Sequence, residues 1–509
     1  MAVFQSLLLL LVCAVSLTAA ARWLKLPYPS LLALGGTALA FVPSGPRFNL
    51  DPQLTLALFV APALLDAAFD TSWRDLKRYW VPVMSLVVVA VGLTIAAVAW
   101  IVHYLMPDIP WSAAIAIGAI VAPPDAVAAS AVMRRLHIPH RVLVIVEGES
   151  LLNDATALLV YRIAVGATLG ETYTGTGVAF LTVAMVAGAL LGFVLAQLSV
   201  RIIEKVPDAP SAIVLQFVTT FGVWILAEHL ELSPIVTIVS YAITAARLAP
   251  QRTPAHLRIP SYAVWETVVF VLNVLAFVLI GLQLRPIFEQ LLPAERVHYL
   301  QIAATVLGTV ILVRIAWVMV YNRAAVLKAR WFGPGSWPGA FVPTLAGSAV
   351  VGWAGMRGIV TLATAYALPL SFPHRDLALL CAFCVVVGTL VVQGMTLRPL
   401  ILALGLSDDG TVDREVRGAQ DALALVALEI LEVDGSDTAR ALQDEFLTTE
   451  VADADAPVAT AREARNQLRA RIVSAQRAML VRLRDTGEIG DDAFHRVEEH
   501  LDRVEIAVR

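Results

Sequence analysis

The sequence contains few charged residues for its length. Of its 509 residues only 15% are Asp, Glu, Lys or Arg, whereas a soluble domain has roughly a quarter. The 37 Lys and Arg residues are nearly balanced by 41 Asp and Glu residues, and no basic patch with interleaved aromatic residues occurs, so we expect no nucleic-acid partner. The low charge and the 58% share of hydrophobic residues argue against an ordinary water-soluble fold.

Cysteine is also scarce. The three cysteines, Cys13, Cys381 and Cys384, all lie inside apolar segments. The Cys-x-x-Cys pair lacks the histidine or charged neighbours that activate a thiol, and we interpret it as packing and not as a redox or metal site. The charged C-terminal region contains no phosphate loop, nucleotide fingerprint or metal-ligand cluster. The sequence therefore predicts neither a cofactor nor enzymatic activity.

Apolar segments fill the chain to about residue 400, and the remainder is rich in charge. A helix of roughly 20 apolar residues crosses a hydrocarbon core about 30 Å thick. The segments predict an all-α polytopic membrane protein with about thirteen transmembrane helices. Their approximate ranges are 3–21, 28–43, 53–69, 79–104, 111–132, 142–166, 178–199, 211–230, 232–247, 262–284, 299–321, 346–369 and 377–400. We expect a transmembrane domain at 1–406 and a helical cytoplasmic tail at 407–509.

Lysine and arginine are concentrated in the odd-numbered loops between these ranges. Cytoplasmic loops are enriched in these residues, so the N-terminus is predicted to lie outside a cell membrane and the tail in the cytoplasm. Apolar residues in the tail recur at helical spacing. A regulatory role, a dimer-forming role and a plain solvated tail remain open for this region.

The fifth span carries a carboxylate beside a backbone interruption. An ionisable residue at the bilayer centre costs about 2.5–3.5 kcal/mol and therefore calls for an explanation. Pro123 and Pro124 remove two backbone donors and predict a break just before Asp125. Broken backbone at membrane depth is tolerated beside protein or a water-filled cavity. The carbonyl groups freed near Val121 and Ala122 are predicted cation ligands, because hard cations prefer oxygen.

The sixth span is predicted to present two polar faces, formed by Glu147, Ser150 and Asp154 and by Glu149 and Asn153. At about 1.5 Å per residue, Asp154 lies roughly 18 Å from the cytoplasmic end of its span, and Asp125 roughly 21 Å from the outer end of its own. Both aspartates are therefore predicted near the bilayer midplane. Together with Ser150 and backbone oxygens they can hold a dehydrated monovalent cation or be neutralised by protons, because burial and repulsion disfavour an empty, doubly charged pair.

The twelfth span contains Arg357 among Gly352, Gly355 and Gly358. This late interruption matches the early one at the prolines, and paired interruptions predict inverted repeats with two broken helices that cross at a midplane site. The Arg357 guanidinium is a fixed positive charge, and we predict a structural ion pair with Glu149.

Three further charges are accessory candidates. Asp66 follows a proline in the third span and is a candidate for lining a cavity. Glu266 and Asn273 lie seven residues apart on one face of the tenth span, and Arg314 in the eleventh is the predicted partner of Glu266.

Four motifs carry a family resemblance: EGESLLNDA at 147–155, APPDAVA at 122–128, WETVVFVLNVLAFVLIGLQL at 265–284 and GMRG at 355–358. They resemble the bacterial electroneutral sodium/proton antiporters, the Asn-Asp branch of the monovalent cation:proton antiporter family. GESLLND is highly specific. The resemblance implies a homodimer whose subunits each contain a dimerisation region and a six-helix core that moves against it in alternating access.

The resemblance also assigns residues. It implies that Asp154, Asp125 and Ser150 surround the ion, that Glu149 and Arg357 form the stabilising pair, and that Asn153 marks one-for-one exchange. The family commonly has Thr-Asp-Pro at the break, where this chain has Pro124-Asp125-Ala126. The ligand at that position must therefore be a backbone carbonyl, such as that of Pro124.

The predicted function is secondary antiport of Na⁺, or of Li⁺ or K⁺, for H⁺ across a lipid bilayer. A K⁺/H⁺ antiporter is the near alternative. A proton-coupled carrier of an organic solute should show a larger cavity lined by aromatic or amide side chains near the aspartates. A membrane sensor that signals through the tail would not need Asp154 for its activity.

Overall fold

The computed structural model describes residues 2–42, 52–136, 138–170, 175–333, 343–434, 436, 439–440 and 459–508. A described helix lies over each predicted span. The N-terminal helices are α1 (Ala2–Trp23), α2 (Tyr28–Ala40), α3 (Pro52–Thr55), α4 (Ala61–Asp70), α5 (Trp73–Arg78), α6 (Trp80–Met84) and α7 (Val91–Leu105). A π-helical turn (Leu56–Val60) joins α3 to α4, and a second one (Ser85–Ala90) joins α6 to α7.

The middle of the chain forms α8 (Trp111–Val121), α9 (Ala126–Met133), a 3₁₀ turn (Arg134–Leu136), α10 (His140–Thr168), α11 (Gly175–Ile203), α12 (Ala209–His229), α13 (Pro234–Arg252), α14 (Ala255–Leu282), α15 (Leu284–Gln290) and α16 (Arg296–Phe332). The last membrane-region helices are α17 (Leu345–Trp353), α18 (Ile359–Tyr366), and α19 (Arg375–Thr389), which passes through a π-helical turn (Leu390–Gly394) into α20 (Met395–Ala403). The tail forms α21 (Thr411–Asp434), α22 (Ala459–Asp485) and α23 (Asp491–Val508).

Length and composition make many of these helices suitable for crossing a membrane. Six described helices are both long enough and apolar enough to cross a membrane, namely Trp80–Leu105, Thr182–Ile203, Ala209–His229, Ala255–Gln290, Arg296–Phe332 and Arg375–Ala403. Shorter apolar helices lie at Leu8–Trp23, Gln53–Phe69, Trp111–Val121 and Pro234–Pro250. The predicted all-helical, multi-span architecture is confirmed, and the number of thirteen spans stays a prediction.

The helices of the membrane region pack in two main groups. In the first, α8 is surrounded by α7, α10, α18 and α19, and α16 packs along α7, α17 and α19. In the second, α13 packs against α4, α11 and α12 around an apolar cluster that also includes Leu151 of α10. Helix α14 packs mainly on α2 and also touches α4 and α12. The first group contains both interrupted spans.

The tail helices α21, α22 and α23 pack around apolar side chains that include Leu423, Leu483 and Phe494. Helix α23 also contacts α14. The tail therefore packs directly against the membrane-region helices.

Candidate functional site

Two helices break where the sequence predicts, and their breaks touch. Helix α8 ends at Val121 and α9 begins at Ala126, because two consecutive prolines lack the N–H groups that a continuous helix needs. The second break separates α17 from α18 at the glycine-rich segment. The Asp125 N–H donates a hydrogen bond to the Met356 carbonyl over 2.7 Å. The predicted meeting of two broken helices is thus present.

Gly358 allows this close approach. A Cβ atom at Gly358 would overlap the Asp125 carboxylate and would lie 2.6 Å from its Cγ. The other carboxylate oxygen, Asp125 Oδ1, accepts a hydrogen bond from the Val127 N–H over 2.9 Å and caps the start of α9. Asp125 is therefore held between the new helix start and the glycine backbone of the second break.

Helix α10 contributes the remaining polar groups. The carbonyl oxygen of Pro124 accepts hydrogen bonds from Asn153 Nδ2 at 3.0 Å and from Ser150 Oγ at 3.4 Å. Asn153 is fully buried, and its Oδ1 has no hydrogen-bond partner among the described residues. Asp154 is 6% exposed and lies close enough to Asp125 for their charges to interact. The structure thus gathers an oxygen-rich cluster where α10 meets the first break.

Arg357 has different partners from those predicted. Its Nε donates to the Val121 carbonyl at 3.1 Å, its Nη2 to the Ala122 carbonyl at 3.0 Å, and its Nη1 to the Gly355 carbonyl. The predicted ion pair between Arg357 and Glu149 is therefore wrong. The two carbonyl groups expected to bind a cation instead receive the guanidinium. The physical reason is that they are the unsatisfied carbonyls at the C-terminus of α8, where a positive charge is stabilising.

Glu149 pairs with Arg314. The two side chains form a bidentate ion pair, with Arg314 Nη2 2.7 Å from Glu149 Oε2, and neither is more than 2% exposed. Arg314 also donates from Nε and Nη2 to the Val351 carbonyl at 3.3 and 3.1 Å. This guanidinium therefore links α10, α16 and α17. The predicted pair of Arg314 with Glu266 is wrong, because Glu266 is exposed on α14 and Arg314 is buried in the first helix group.

Gly355 explains how two arginines fit at the second break. A Cβ atom there would lie 2.5 Å from Arg314 Nε and 3.1 Å from Arg357 Nη1. The glycine run in the sequence signals this kind of close approach, although it does not say which side chain approaches. Sequence reasoning also missed Thr389, whose Oγ1 accepts from the Arg357 N–H over 3.0 Å. A single threonine in an apolar span carries no comparable signal.

Three other charged candidates, Glu147, Asp66 and Glu266, lie outside the buried cluster. Glu147 pairs with Arg134 at 3.0 Å, so its side chain is directed to the 3₁₀ turn and not to the aspartates. Asp66 on α4 and Glu266 on α14 are exposed.

Comparison with known proteins identifies the family. The family model for the transmembrane region of sodium/hydrogen exchangers matches residues 7–403. A sodium, potassium, lithium and rubidium/H⁺ antiporter of Bacillus pumilus (strain SAFR-032) is 30% identical over 420 residues, which are 79% of this chain and only 61% of that relative. The uncharacterized Na⁺/H⁺ exchanger YjcE of Escherichia coli (strain K12) is 28% identical over 94% of both chains. The Na⁺/H⁺ antiporter ApNhaP of Aphanothece halophytica is 28% identical over 76% of this chain and 71% of its own.

A solved structure shares the fold. The sodium proton antiporter MjNhaP1 from Methanocaldococcus jannaschii superposes with a TM-score of 0.61 at 20% identity, over 79% of this chain and 98% of MjNhaP1. The match to the family model over most of the chain shows that this protein belongs to the sodium/hydrogen exchanger family, multi-pass membrane transporters that exchange monovalent cations for protons and are not enzymes.

Proposed function

We propose that this protein exchanges one monovalent cation, Na⁺ or also Li⁺ or K⁺, for one proton across a cell membrane, and that the two ions compete for Asp125 and Asp154. The observation that carries this proposal is the burial of Asp154 against the break that holds Asp125. Two buried carboxylates repel one another when empty, so either a cation or a proton must neutralise the site. Because the cation and the proton cannot occupy this site at the same time, the transport of one is coupled to the transport of the other.

The ligands proposed for the cation are all oxygen atoms. They come from the carboxylates of Asp125 and Asp154, the hydroxyl of Ser150, the carbonyl of Pro124 and the unpartnered amide oxygen of Asn153. Alkali cations prefer such hard ligands. The Bacillus pumilus relative, named for exchange of sodium, potassium, lithium and rubidium, supports a broad cation range.

We propose one-for-one exchange on the basis of the charges around the site. Asn153 is neutral, and Glu149 is compensated by Arg314. The cation then replaces a single proton on the aspartate pair, so the site has the same net charge when it carries the cation in one direction as when it carries the proton in the other. Full transport therefore moves no net charge.

Alternating access requires that one part of the protein moves against another. We propose that the helix group with α8, α10 and α16 is the moving core and that the group with α4, α11, α12 and α13 belongs to the stationary part. Most buried members of the apolar cluster around α13 come from the second group, with Leu151 of α10 also included, which supports this division. We also propose that the protein is a homodimer with its N-terminus outside and its tail in the cytoplasm.

Reconstituted vesicles test the exchange. We expect wild-type protein to dissipate a preset pH gradient when Na⁺, Li⁺ or K⁺ is added, and Asp154→Asn and Asp125→Asn to abolish this response, because an amide can neither bind the proton nor supply the cation's counter-charge. Glu204→Gln, a change at an exposed carboxylate at the end of α11, is the control and should retain the wild-type rate.

Two results would contradict the proposal. Wild-type rates in both aspartate variants would remove the site from the mechanism. A wild-type protein that responds to no cation would favour an organic solute carrier or a sensor. Clamping the membrane potential of the same vesicles tests the stoichiometry, since the rate of electroneutral exchange does not depend on potential.

A further inference from the structure

His140 joins the tail to the helix that carries the ion site. It is the first residue of α10, outside the predicted span 142–166. Its Nε2 lies 3.0 Å from Asp75 Oδ2 on α5, and its Nδ1 lies 3.3 Å from Asp492 Oδ2 on α23. A neutral imidazole carries one N–H only, so both contacts are favourable at once only when the ring is doubly protonated. One proton therefore helps to hold the tail on α5 and α10.

The tail lies tightly against this part of the protein. Arg74 Nη2 contacts Glu415 Oε1 at 2.7 Å and Asp75 Oδ1 at 3.1 Å, and the Gly490 N–H donates to Glu415 Oε2 at 2.8 Å. A Cβ atom at Gly490 would lie 2.8 Å from Arg74 Nη2 and 3.1 Å from Asp75 Oδ2. The carboxylates that surround the imidazole, from α5, α21 and α23, are Asp75, Glu415 and Asp492.

The rest of α23 is fixed to other membrane helices. Arg258 on α14, 2% exposed, contacts Asp502 Oδ2 at 2.9 Å and Glu498 Oε1 at 3.2 Å. The His495 ring stacks on Phe69 of α4 with 6.2 Å between ring centroids. From Asp492 to Asp502 the helix is about 15 Å long. Helix α23 therefore bridges the proposed moving core at α10 and the remaining helices at α4 and α14.

We propose that His140 is a regulatory proton-binding site: its protonated form holds the tail across the two helix groups and slows exchange, and loss of this proton releases the tail end at Asp492. The effect on rate rests on the proposed function, because only a protein whose parts move against each other is slowed by such a bridge. The docking of the tail does not depend on it.

The direction of the pH effect follows from linkage. Burial disfavours the charged imidazolium, but the hydrogen bond to Asp75 and the charges of Asp492, Asp75 and Glu415 outweigh it and raise the pKa of His140 above its ordinary value. A raised pKa means that docking is strongest below the pKa of the released histidine and weakens as pH rises through the higher, docked pKa. Between the two values the ratio of docked to released tail falls about tenfold per pH unit. Exchange should therefore increase on the alkaline side.

A distance measurement tests the docking. Spin labels are placed at Lys205 and Asp485, both exposed, after the native cysteines are replaced by alanine. Pulsed electron paramagnetic resonance then measures the distance between the two labels in liposomes without a cation gradient. The measurements run from about pH 6 to about pH 9, a range that includes the ordinary histidine pKa of about 6.5. In wild type we expect the fraction of molecules with a second, longer distance between the labels to increase with pH. In His140→Gln we expect the longer distance at every pH. The control His500→Gln, at an exposed histidine of α23, should keep the wild-type pH dependence.

The proposal is overturned if the distance in wild type does not change with pH, or if the pH dependence survives His140→Gln or disappears in His500→Gln. Exchange rates in the same liposomes form the second readout. At saturating Na⁺, His140→Gln should lose the alkaline activation and exchange at the alkaline rate at every pH. Tail release without a change in exchange rate would overturn the regulatory role, whereas absence of exchange in wild type would contradict the proposed function and leave the distance result standing.

Discussion

Replacing Gly358 with alanine is expected to lower the rate of exchange at subsaturating cation about tenfold or more. The new Cβ atom would overlap the Asp125 carboxylate, and the whole short side chain must move because its own Cβ lies 2.9 Å away. Adding a methyl group to a packed site costs about 1–3 kcal/mol, and about 1.4 kcal/mol corresponds to tenfold in an equilibrium constant. Initial rates at several Na⁺ concentrations, measured in proteoliposomes, give the change in apparent affinity.

Gly308→Ala is the matched control for this substitution. Gly308 lies inside α16, and a Cβ atom there would have no neighbour within 4 Å. Alanine in a helix interior is favoured over glycine by about 1 kcal/mol, so this variant should exchange at the wild-type rate and be slightly more stable. If Gly358→Ala had the affinity and rate of Gly308→Ala, Asp125 would not form part of the cation site.

Replacing Arg314 with methionine is expected to lower the free energy of unfolding by about 3–5 kcal/mol, because it leaves the carboxylate of Glu149 buried without its counter-charge. Both side chains are almost fully inaccessible, and Glu149 is 0% exposed. The thermal unfolding midpoint and the yield of monodisperse protein in detergent should both fall. The double variant with Glu149→Gln should recover much of the loss, since no unpaired charge remains.

Arg134→Met provides the comparison. Arg134 also pairs with a glutamate of α10, Glu147, but its side chain is 50% exposed. An exposed pair contributes about 0–1 kcal/mol, so its removal should change the midpoint little. Equal effects of Arg314→Met and Arg134→Met would contradict the buried pair. A loss in Arg357→Met that Glu149→Gln relieves would restore the pairing predicted from the sequence.

The sequence predicts positions along the helices well. The two breaks follow from local chemistry, because Pro123 and Pro124 remove backbone donors and the glycine run around Arg357 weakens a helix. Helical periodicity predicts two neighbouring polar faces on α10, and the structure brings one residue of each, Ser150 and Asn153, to the first break. These features depend on residues close together in the chain.

Partners between helices could not be predicted in the same way. Two buried arginines, Arg314 and Arg357, are possible ion-pair partners of Glu149. Helical periodicity does not indicate which neighbouring helix each arginine faces. The choice of Arg314 depends on Gly355, which leaves space for its side chain, and on the α8 carbonyls, which bind Arg357 instead. These contacts are set by the packing of several helices together.

The docking of the tail could not be predicted from the sequence either. Arg258 and Asp502 are 244 residues apart, and each is an ordinary charge in its own segment. His140 likewise looks like a loop residue before an apolar span. Only the folded arrangement shows that its two ring nitrogens meet carboxylates from α5 and α23.

The most direct test of the account is the Na⁺ dependence of exchange at a series of fixed pH values, measured in proteoliposomes with equal pH on both sides and a Na⁺ gradient. His140→Gln serves as the background, so that tail release does not vary. Competition at Asp125 and Asp154 predicts that the apparent KM for Na⁺ rises as pH falls, by up to about tenfold per pH unit, while the rate at saturating Na⁺ is unchanged at the acidic end. A KM that is independent of pH, with a maximal rate that falls on acidification, would contradict a shared site for the cation and the proton.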